Sequence, residues 1–140
     1  MKLQILGLLT FLLIAPGLVQ AADRKMVIQV NTKDATTQKM AINSAKNLKK
    51  LLGKESVDVE VVVYGPGLSL IKSSGSNADK VTALMSDYGV KISACKGALK
   101  AYAKRHGGRE LDIVEGVTKV ATGAIRILEL QEQGYAYLRP

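Results

Sequence analysis

Cys95 is the one cysteine among the 140 residues and the first candidate for chemistry, as the catalytic residue. Apolar and polar side chains alternate over residues 90–94 and helical spacing begins at Ala98, so Cys95 is predicted at a strand-to-helix junction. Unpaired N–H groups at a helix start and the Lys96 ammonium favour its thiolate form. A thiolate can attack sulfur or carry a sulfane sulfur as a persulfide, whereas dithiol chemistry needs a second cysteine. The other interpretation is an inert cysteine that fills a gap at the strand end.

Three lysines follow Cys95 at helical spacing. Lys96, Lys100 and Lys104 are four residues apart and are predicted to form one basic stripe on a helix. Such a stripe can draw anions or an acidic partner towards the thiol. A solvated helix face is the commoner meaning of this pattern, and both interpretations stay open.

Two further segments are candidate ligand-binding residues together with Lys96. Asn31 follows the first predicted strand, and Gly65-Pro66-Gly67 follows the second. The glycines can let the backbone approach an anion closely, but the segment lacks the spacing of a dinucleotide fingerprint or a P-loop. A plain turn after a strand is the alternative.

The remaining polar residues offer no metal or cofactor site. His106 is the one histidine and precedes Gly107 at a predicted helix end, where helix capping accounts for it. Tyr135 and Tyr137 are predicted to pack within a strand. We therefore expect no metal and no cofactor, and the missing phosphate-binding fingerprint disfavours a nucleotide-dependent enzyme.

Strands and helices must alternate to position these residues. Predicted strands cover residues 26–30, 57–64, 90–95, 111–115 and 135–139; predicted helices cover 34–52 and 117–133, with further helical stripes over 81–88 and 98–103 and a loop over 68–76. Short connections between them predict an α/β fold: a three-layer α/β/α domain with a mostly parallel five-stranded sheet. Ligands of such sheets bind beyond the carboxyl ends of the strands. We expect Asn31, Gly65-Pro66-Gly67, Cys95 and Glu115-Gly116 to meet at that edge.

The fourth predicted helix carries two apolar faces. The face predicted to pack on the sheet consists of Val120, Ala121, Ala124, Ile125 and Leu128. Ile127 and Leu130 lie off this stripe and indicate a second buried surface, which favours a homo-oligomer.

The first 21 residues have the pattern of a cleavable signal peptide. Lys2 precedes an apolar run over residues 3–15, which is shorter than a membrane span, and Val19 and Ala21 are small or apolar at the −3 and −1 positions. We predict cleavage after Ala21, an exported periplasmic protein, and one domain over residues 22–140 with no stable membrane span after cleavage. An uncleaved N-terminal anchor is the alternative.

Charge and cysteine content narrow the classes of partner. The formal net charge is +8, from 20 Lys and Arg against 12 Asp and Glu. This favours anionic ligands, acidic partners or lipid headgroups. No nucleic-acid-binding pattern is predicted. A single cysteine allows no intramolecular disulfide, so packing must stabilise the domain.

The sequence resembles the DsrE/DsrF-like family, which includes sulfur-relay proteins of the TusD type. The resemblance covers residues 26–140 and is carried by the order of elements and by three segments: VVVYGPGLSLI (61–71), VKISACKGALKA (90–101) and GVTKVATGAIRILELQEQGYAYLRP (116–140). It implies a DsrE-like fold, assembly into homo-oligomers and, for the cysteine at position 95, the role of sulfur acceptor. Sulfur-relay members are typically cytoplasmic, whereas this chain has an export signal.

Two functions follow as hypotheses. The first is a periplasmic DsrE-like protein that handles sulfane sulfur or a small sulfur anion through Cys95, as a persulfide carrier rather than a turnover enzyme, with a sulfur donor or acceptor protein as partner. The alternative is an oligomeric ligand-binding or interaction module of the same fold in which Cys95 is structural.

Overall fold

The computed structural model describes residues 24–140, so the predicted signal peptide lies outside the described residues. Strands and helices alternate along the chain. They are β1 (Arg24–Val30), α1 (Ala35–Leu52), β2 (Val57–Val63), a 3-10 helix (Gly65–Ile71), α2 (Ala78–Ser86), β3 (Lys91–Cys95), α3 (Lys96–Arg105), β4 (Thr118–Val120), α4 (Gly123–Glu132) and β5 (Ala136–Leu138). Within the described residues, no helix is both long enough and apolar enough to cross a membrane.

The strands form a single five-stranded sheet in the order β4-β3-β2-β1-β5, and every neighbouring pair is parallel. Parallel strands need crossover connections, which the helices supply. The carboxyl ends of all five strands therefore lie at one edge. The predicted α/β fold with a parallel five-stranded sheet is confirmed.

The two faces of the sheet are covered differently. Alternate residues of β2, beginning with Val57 and Val59, join α1, α2 and α3 in the larger apolar core. On the opposite face, Val27 and Val62 pack with Ile127 of α4 in a smaller cluster that also contains Leu130 and Tyr135. The chain therefore forms three layers: α1, α2 and α3 with the larger core, the sheet, and α4.

The fourth strand lies further along the chain than predicted. Residues 111–115 are not a strand: Ile113 forms only an isolated antiparallel bridge with Lys72, while Val114 donates its N–H to the carbonyl of Ile71. The apolar pattern that suggested a strand has another cause, since Leu111 and Ile113 pack against the larger core. The parallel partner of β3 is instead β4, which follows Gly116.

Two other boundaries also differ. Residues 65–71 form a 3-10 helix with Leu68, Leu70 and Ile71 buried, where a loop over 68–76 was expected. α4 is shorter than the predicted helix 117–133 because Thr122 caps it, accepting a hydrogen bond from the Ile125 N–H at 3.2 Å.

The predicted faces of α4 are reversed. Ile127 and Leu130 are buried against the sheet, whereas Ile125 and Leu128 are 52% and 56% exposed. Helical spacing alone cannot choose between two apolar stripes, and here the ion pair of Arg126 described below fixes the choice. The apolar surface of α4 that stays exposed is therefore the one that contains Ile125 and Leu128.

The two leucines of α4 provide a matched pair for this assignment. We expect Leu130→Ala to lower the free energy of unfolding by about 2–5 kcal/mol because it leaves a cavity, and Leu128→Ala to change it by less than about 0.5 kcal/mol. Urea unfolding followed by circular dichroism measures both. A loss for Leu128→Ala that depends on protein concentration reports subunit association; an equal, concentration-independent loss for both variants would show that the assignment is wrong.

Candidate functional site

The carboxyl edge of the sheet brings together most of the predicted site residues. Asn31 follows β1, Gly65-Pro66-Gly67 follows β2, and Cys95 ends β3. Glu115-Gly116 was expected at this edge and is not there, because these residues precede β4. They line a cavity with Val90 and Lys91 at the start of β3, at the opposite end of the sheet.

Cys95 is the last residue of β3 and the N-cap of α3, with no loop between them. Its Sγ accepts a hydrogen bond from the Ala98 N–H, with the sulfur 3.3 Å from the nitrogen. The sulfur therefore lies in the positive field of the first turn of α3. The residue is only 8% exposed, so the thiol is largely buried in the single chain.

A row of residues at the edge places Cys95 between β2 and β4. Val63 pairs with Ala94, Tyr64 follows Val63 at the end of β2, and Cys95 pairs with Val120. The first turn of α4 rests on this row. A side chain at Gly123 would lie 2.5 Å from the Tyr64 ring, so glycine is required for α4 to start there.

The Gly65-Pro66-Gly67 segment packs against β1. The Gly67 N–H donates to the Tyr64 carbonyl at 3.1 Å, as in a tight turn. A Cβ at Gly67 would lie 2.2 Å from the Val30 carbonyl oxygen and 3.1 Å from the Asn31 Cα. The structure thus brings Asn31 and Gly67 together through close backbone contact. The Gly67 amide is already used within the turn.

The basic stripe divides into two parts. Lys96 and Lys100 line a groove of about 400 Å³ with Lys119 of β4 and Glu110, whereas Lys104 is not among the lining residues. The sequence analysis missed Lys119 because it placed the fourth strand at residues 111–115. Had the TKV segment been assigned to a strand, the approach of Lys119 to α3 could have been predicted.

His106 caps α3, as expected. Its ring stacks on Tyr102 with centroids 3.9 Å apart, and Nδ1 lies 2.8 Å from the Tyr102 carbonyl oxygen. Among residues 24–140, no three His, Cys, Asp or Glu side chains are clustered so that they could hold a metal ion.

The sheet face covered by α4, called the second sheet face below, contains an ion pair that the sequence analysis missed. Glu60 is 1% exposed and accepts hydrogen bonds from Ser93 at 2.6 Å and from two guanidinium nitrogens of Arg126 at 2.8 Å. The hydrogen bond to Glu60 raises the pKa of Arg126, more than burial lowers it. A glutamate in the middle of a valine-rich strand was the available signal, because a buried carboxylate needs a partner.

A second polar cluster lies nearby on the same face. The Tyr135 hydroxyl donates to Asp58 at 2.5 Å, and Lys91 forms an ion pair with the same carboxylate oxygen at 2.9 Å. Burial raises the pKa of Tyr135, and its hydrogen bond to Asp58 raises it further. Burial alone would raise the pKa of Asp58, but the hydrogen bonds from Tyr135 and Lys91 outweigh it, so the pKa lies below 3.8.

The model of the DsrE/DsrF-like family matches residues 24–140, which is the whole described part of the chain. The chain belongs to the DsrE/DsrF-like family. This confirms the resemblance found in the sequence. No protein of curated function matches the chain in sequence.

Solved structures of DsrE-like shape agree with this assignment. The protein of unknown function MTH1491 from Methanobacterium thermoautotrophicum is 30% identical with a TM-score of 0.74, over 84% of this chain and 100% of that chain. BT1422 of unknown function from Bacteroides thetaiotaomicron is 20% identical with a TM-score of 0.60, over 86% and 97%. The ychN protein from E. coli is 14% identical with a TM-score of 0.57, over 84% and 99%. The last two comparisons support the fold alone.

The Tyr135–Asp58 hydrogen bond predicts how stability depends on pH. Because the folded pKa of Asp58 lies below its unfolded value of 3.8, Asp58 contributes stability above that value and loses it as pH falls through the folded pKa. Tyr135→Phe should lower the unfolding free energy by about 1–2 kcal/mol near neutral pH and flatten its fall below pH about 4. Urea unfolding measured from about pH 2.5 to about pH 7 covers the titration of Asp58 and measures both effects.

Tyr137→Phe is the matched control, since the Tyr137 hydroxyl donates to the amide oxygen of Gln29 at 2.6 Å and not to a carboxylate. Its pH profile should run parallel to that of the wild type. Identical profiles for Tyr135→Phe and Tyr137→Phe would contradict the role given to Asp58.

Proposed function

We propose that the protein is an exported sulfur carrier of the DsrE/DsrF-like family that takes up sulfane sulfur on Cys95. The observation that carries the proposal is the position of Sγ, 3.3 Å from the Ala98 nitrogen at the first turn of α3. The amide dipoles there stabilise negative charge on sulfur. The family resemblance gives the matched cysteine the role of sulfur acceptor.

The proposed step is a thiolate attack on a polysulfide or thiosulfate. Sγ forms an S–S bond with the terminal sulfane sulfur, and the donor's bond to that sulfur breaks. The electron pair leaves on the shortened polysulfide, or on sulfite when the donor is thiosulfate. Cys95 keeps the transferred atom as a persulfide, and no external oxidant is consumed. The residues following Cys95 supply a cation and no general base, which suits a carrier rather than a turnover enzyme.

Gly97 supports access to the sulfur despite its burial. This residue is exposed, and a side chain there would start 3.6 Å from Sγ. The absence of a side chain at position 97 leaves one side of the sulfur without a covering group. A donor can approach over this glycine while the Ala98 N–H still binds the sulfur.

A second function is favoured by the low exposure of Cys95 and by its capping bond. In an interaction module of the same fold, the cysteine would only terminate β3 and cap α3, and a partner or ligand would bind elsewhere on the carboxyl edge. Serine also caps helices well. Cys95→Ser would then retain every property of the protein.

We predict that native protein treated with inorganic polysulfide or thiosulfate gains about 32 Da, one sulfur atom, on Cys95. Cys95→Ser should gain none. Gly97→Leu should slow the gain several-fold because the leucine covers Sγ, while leaving the fold intact at an exposed helical position. Intact-mass spectrometry with peptide mapping measures the adduct, and the pH dependence of the alkylation rate reports the thiolate.

Lys104→Gln is the control, because it changes a charge on α3 away from the sulfur and should not alter the rate. A thiol that resists alkylation until the protein is unfolded, with no adduct from either donor, would exclude the carrier and leave the interaction module.

The N-terminus and the mass of the protein recovered from the cell envelope test the proposed export and assembly. We expect its chain to begin at Ala22, because the apolar run of residues 3–15 is too short for a stable anchor. Exposed Ile125 and Leu128 on α4 support a homo-oligomer. Sedimentation at micromolar concentration should give a mass above that of a monomer of about 13 kDa. A monomer in sedimentation would contradict the proposed homo-oligomer. A chain that begins at Met1 in the membrane fraction would contradict the proposed cleavage and export.

A further inference from the structure

The groove between α3 and β4 combines a cationic rim with an apolar floor. Lys96, Lys100 and Lys119 form the rim, together with Glu110. The floor consists of Leu99, Ala103 and Leu111, all of which are half-buried. None of the ion pairs formed among residues 24–140 includes these lysines or Glu110. Three positive charges and one negative charge therefore line an apolar surface, with a net positive charge and no ion pair among them.

The groove begins at the residue that follows β3. Lys96 follows Cys95 directly, and Lys119 precedes Val120, the β4 residue that pairs with Cys95. Cys95 does not itself line the groove. One end of the groove therefore lies at the edge of the sheet where β3 and β4 terminate.

We infer that this groove binds chain-like sulfur anions, with negative ends and an apolar middle, of the polysulfide class. The inference deepens the proposed function, on which it rests, by choosing polysulfide over thiosulfate as the donor and by giving the site that binds it. A compact anion such as sulfate or thiosulfate leaves most of a groove of about 400 Å³ unfilled and gains nothing from its leucines. A sulfur chain places its charged ends near the lysines and its polarizable middle on the apolar floor.

Tetrathionate and sulfate test the inference, since both are dianions but only tetrathionate has a sulfur chain. Cys95→Ser prevents thiol chemistry, and titrations followed by ¹⁵N chemical shifts measure binding alone. We expect tetrathionate to bind about tenfold more tightly than sulfate, with the largest shifts around Leu99, Ala103 and Leu111. Equal affinity for both anions, or shifts confined to another surface, would overturn the inference.

Charge variants in the Cys95→Ser background sharpen the test. Lys119→Gln and Lys96→Gln should each weaken tetrathionate binding by about threefold, while Glu110→Gln should tighten it by about twofold. Lys104→Gln should change nothing, because Lys104 lies outside the groove. A peptide of alternating Glu and Leu that binds the groove more tightly than tetrathionate would overturn the inference in favour of a partner protein.

The two proposals fail separately. If the groove binds tetrathionate but wild-type Cys95 gains no sulfur, the carrier function is wrong and the groove remains. If Cys95 gains sulfur from polysulfide at the same rate in wild type and Lys119→Gln, the carrier function remains and the groove is not its donor site.

Discussion

The bidentate ion pair between Glu60 and Arg126 is the constraint on which the second sheet face depends. A carboxylate that is 1% exposed must be paired and hydrogen-bonded, because an isolated buried charge costs several kcal/mol, of order 3–5 when one partner is removed. Arg126 lies on α4, so the pair fixes the rotation of that helix. Ile127 and Leu130 then face the sheet, and the helix start meets the ring of Tyr64 at Gly123. Within residues 24–140, α4 is the one helix on this face.

The start of α4 lies at the same edge of the sheet as Cys95. Tyr64 follows Val63, the β2 residue that pairs with Ala94, and α4 starts on the Tyr64 ring. On the other side, α3 begins directly after Cys95 and supplies the Ala98 N–H. The thiol is thus held at the start of α3, with Gly97 beside the sulfur. In the proposed carrier, burial limits oxidation of the thiol, and the amide and the lysines of α3 favour anionic sulfur compounds as reactants.

Local patterns predicted the parts of the fold that local interactions determine. The junction at Cys95 was predictable because alternation stops and helical spacing starts within a few residues. The prediction of a strand at residues 111–115 was wrong. The apolar side chains of Leu111 and Ile113 pack against the larger core, and β4 pairs with β3 instead. The Glu60–Arg126 pair joins residues 66 positions apart, and no local pattern indicates which arginine meets a buried glutamate. Lys119 entered the site only once β4 was placed, because strand pairing is a long-range property.

Cold cyanolysis is the most direct measurement of the central claim that Cys95 carries transferable sulfur. Protein treated with polysulfide and freed from excess donor is mixed with cyanide, which removes sulfane sulfur as thiocyanate and restores the thiol. The account predicts about one thiocyanate per chain, none from Cys95→Ser, and a wild-type thiol that can be loaded again. Thiocyanate yields near zero from the wild type, or equal yields from wild type and Cys95→Ser, would contradict it.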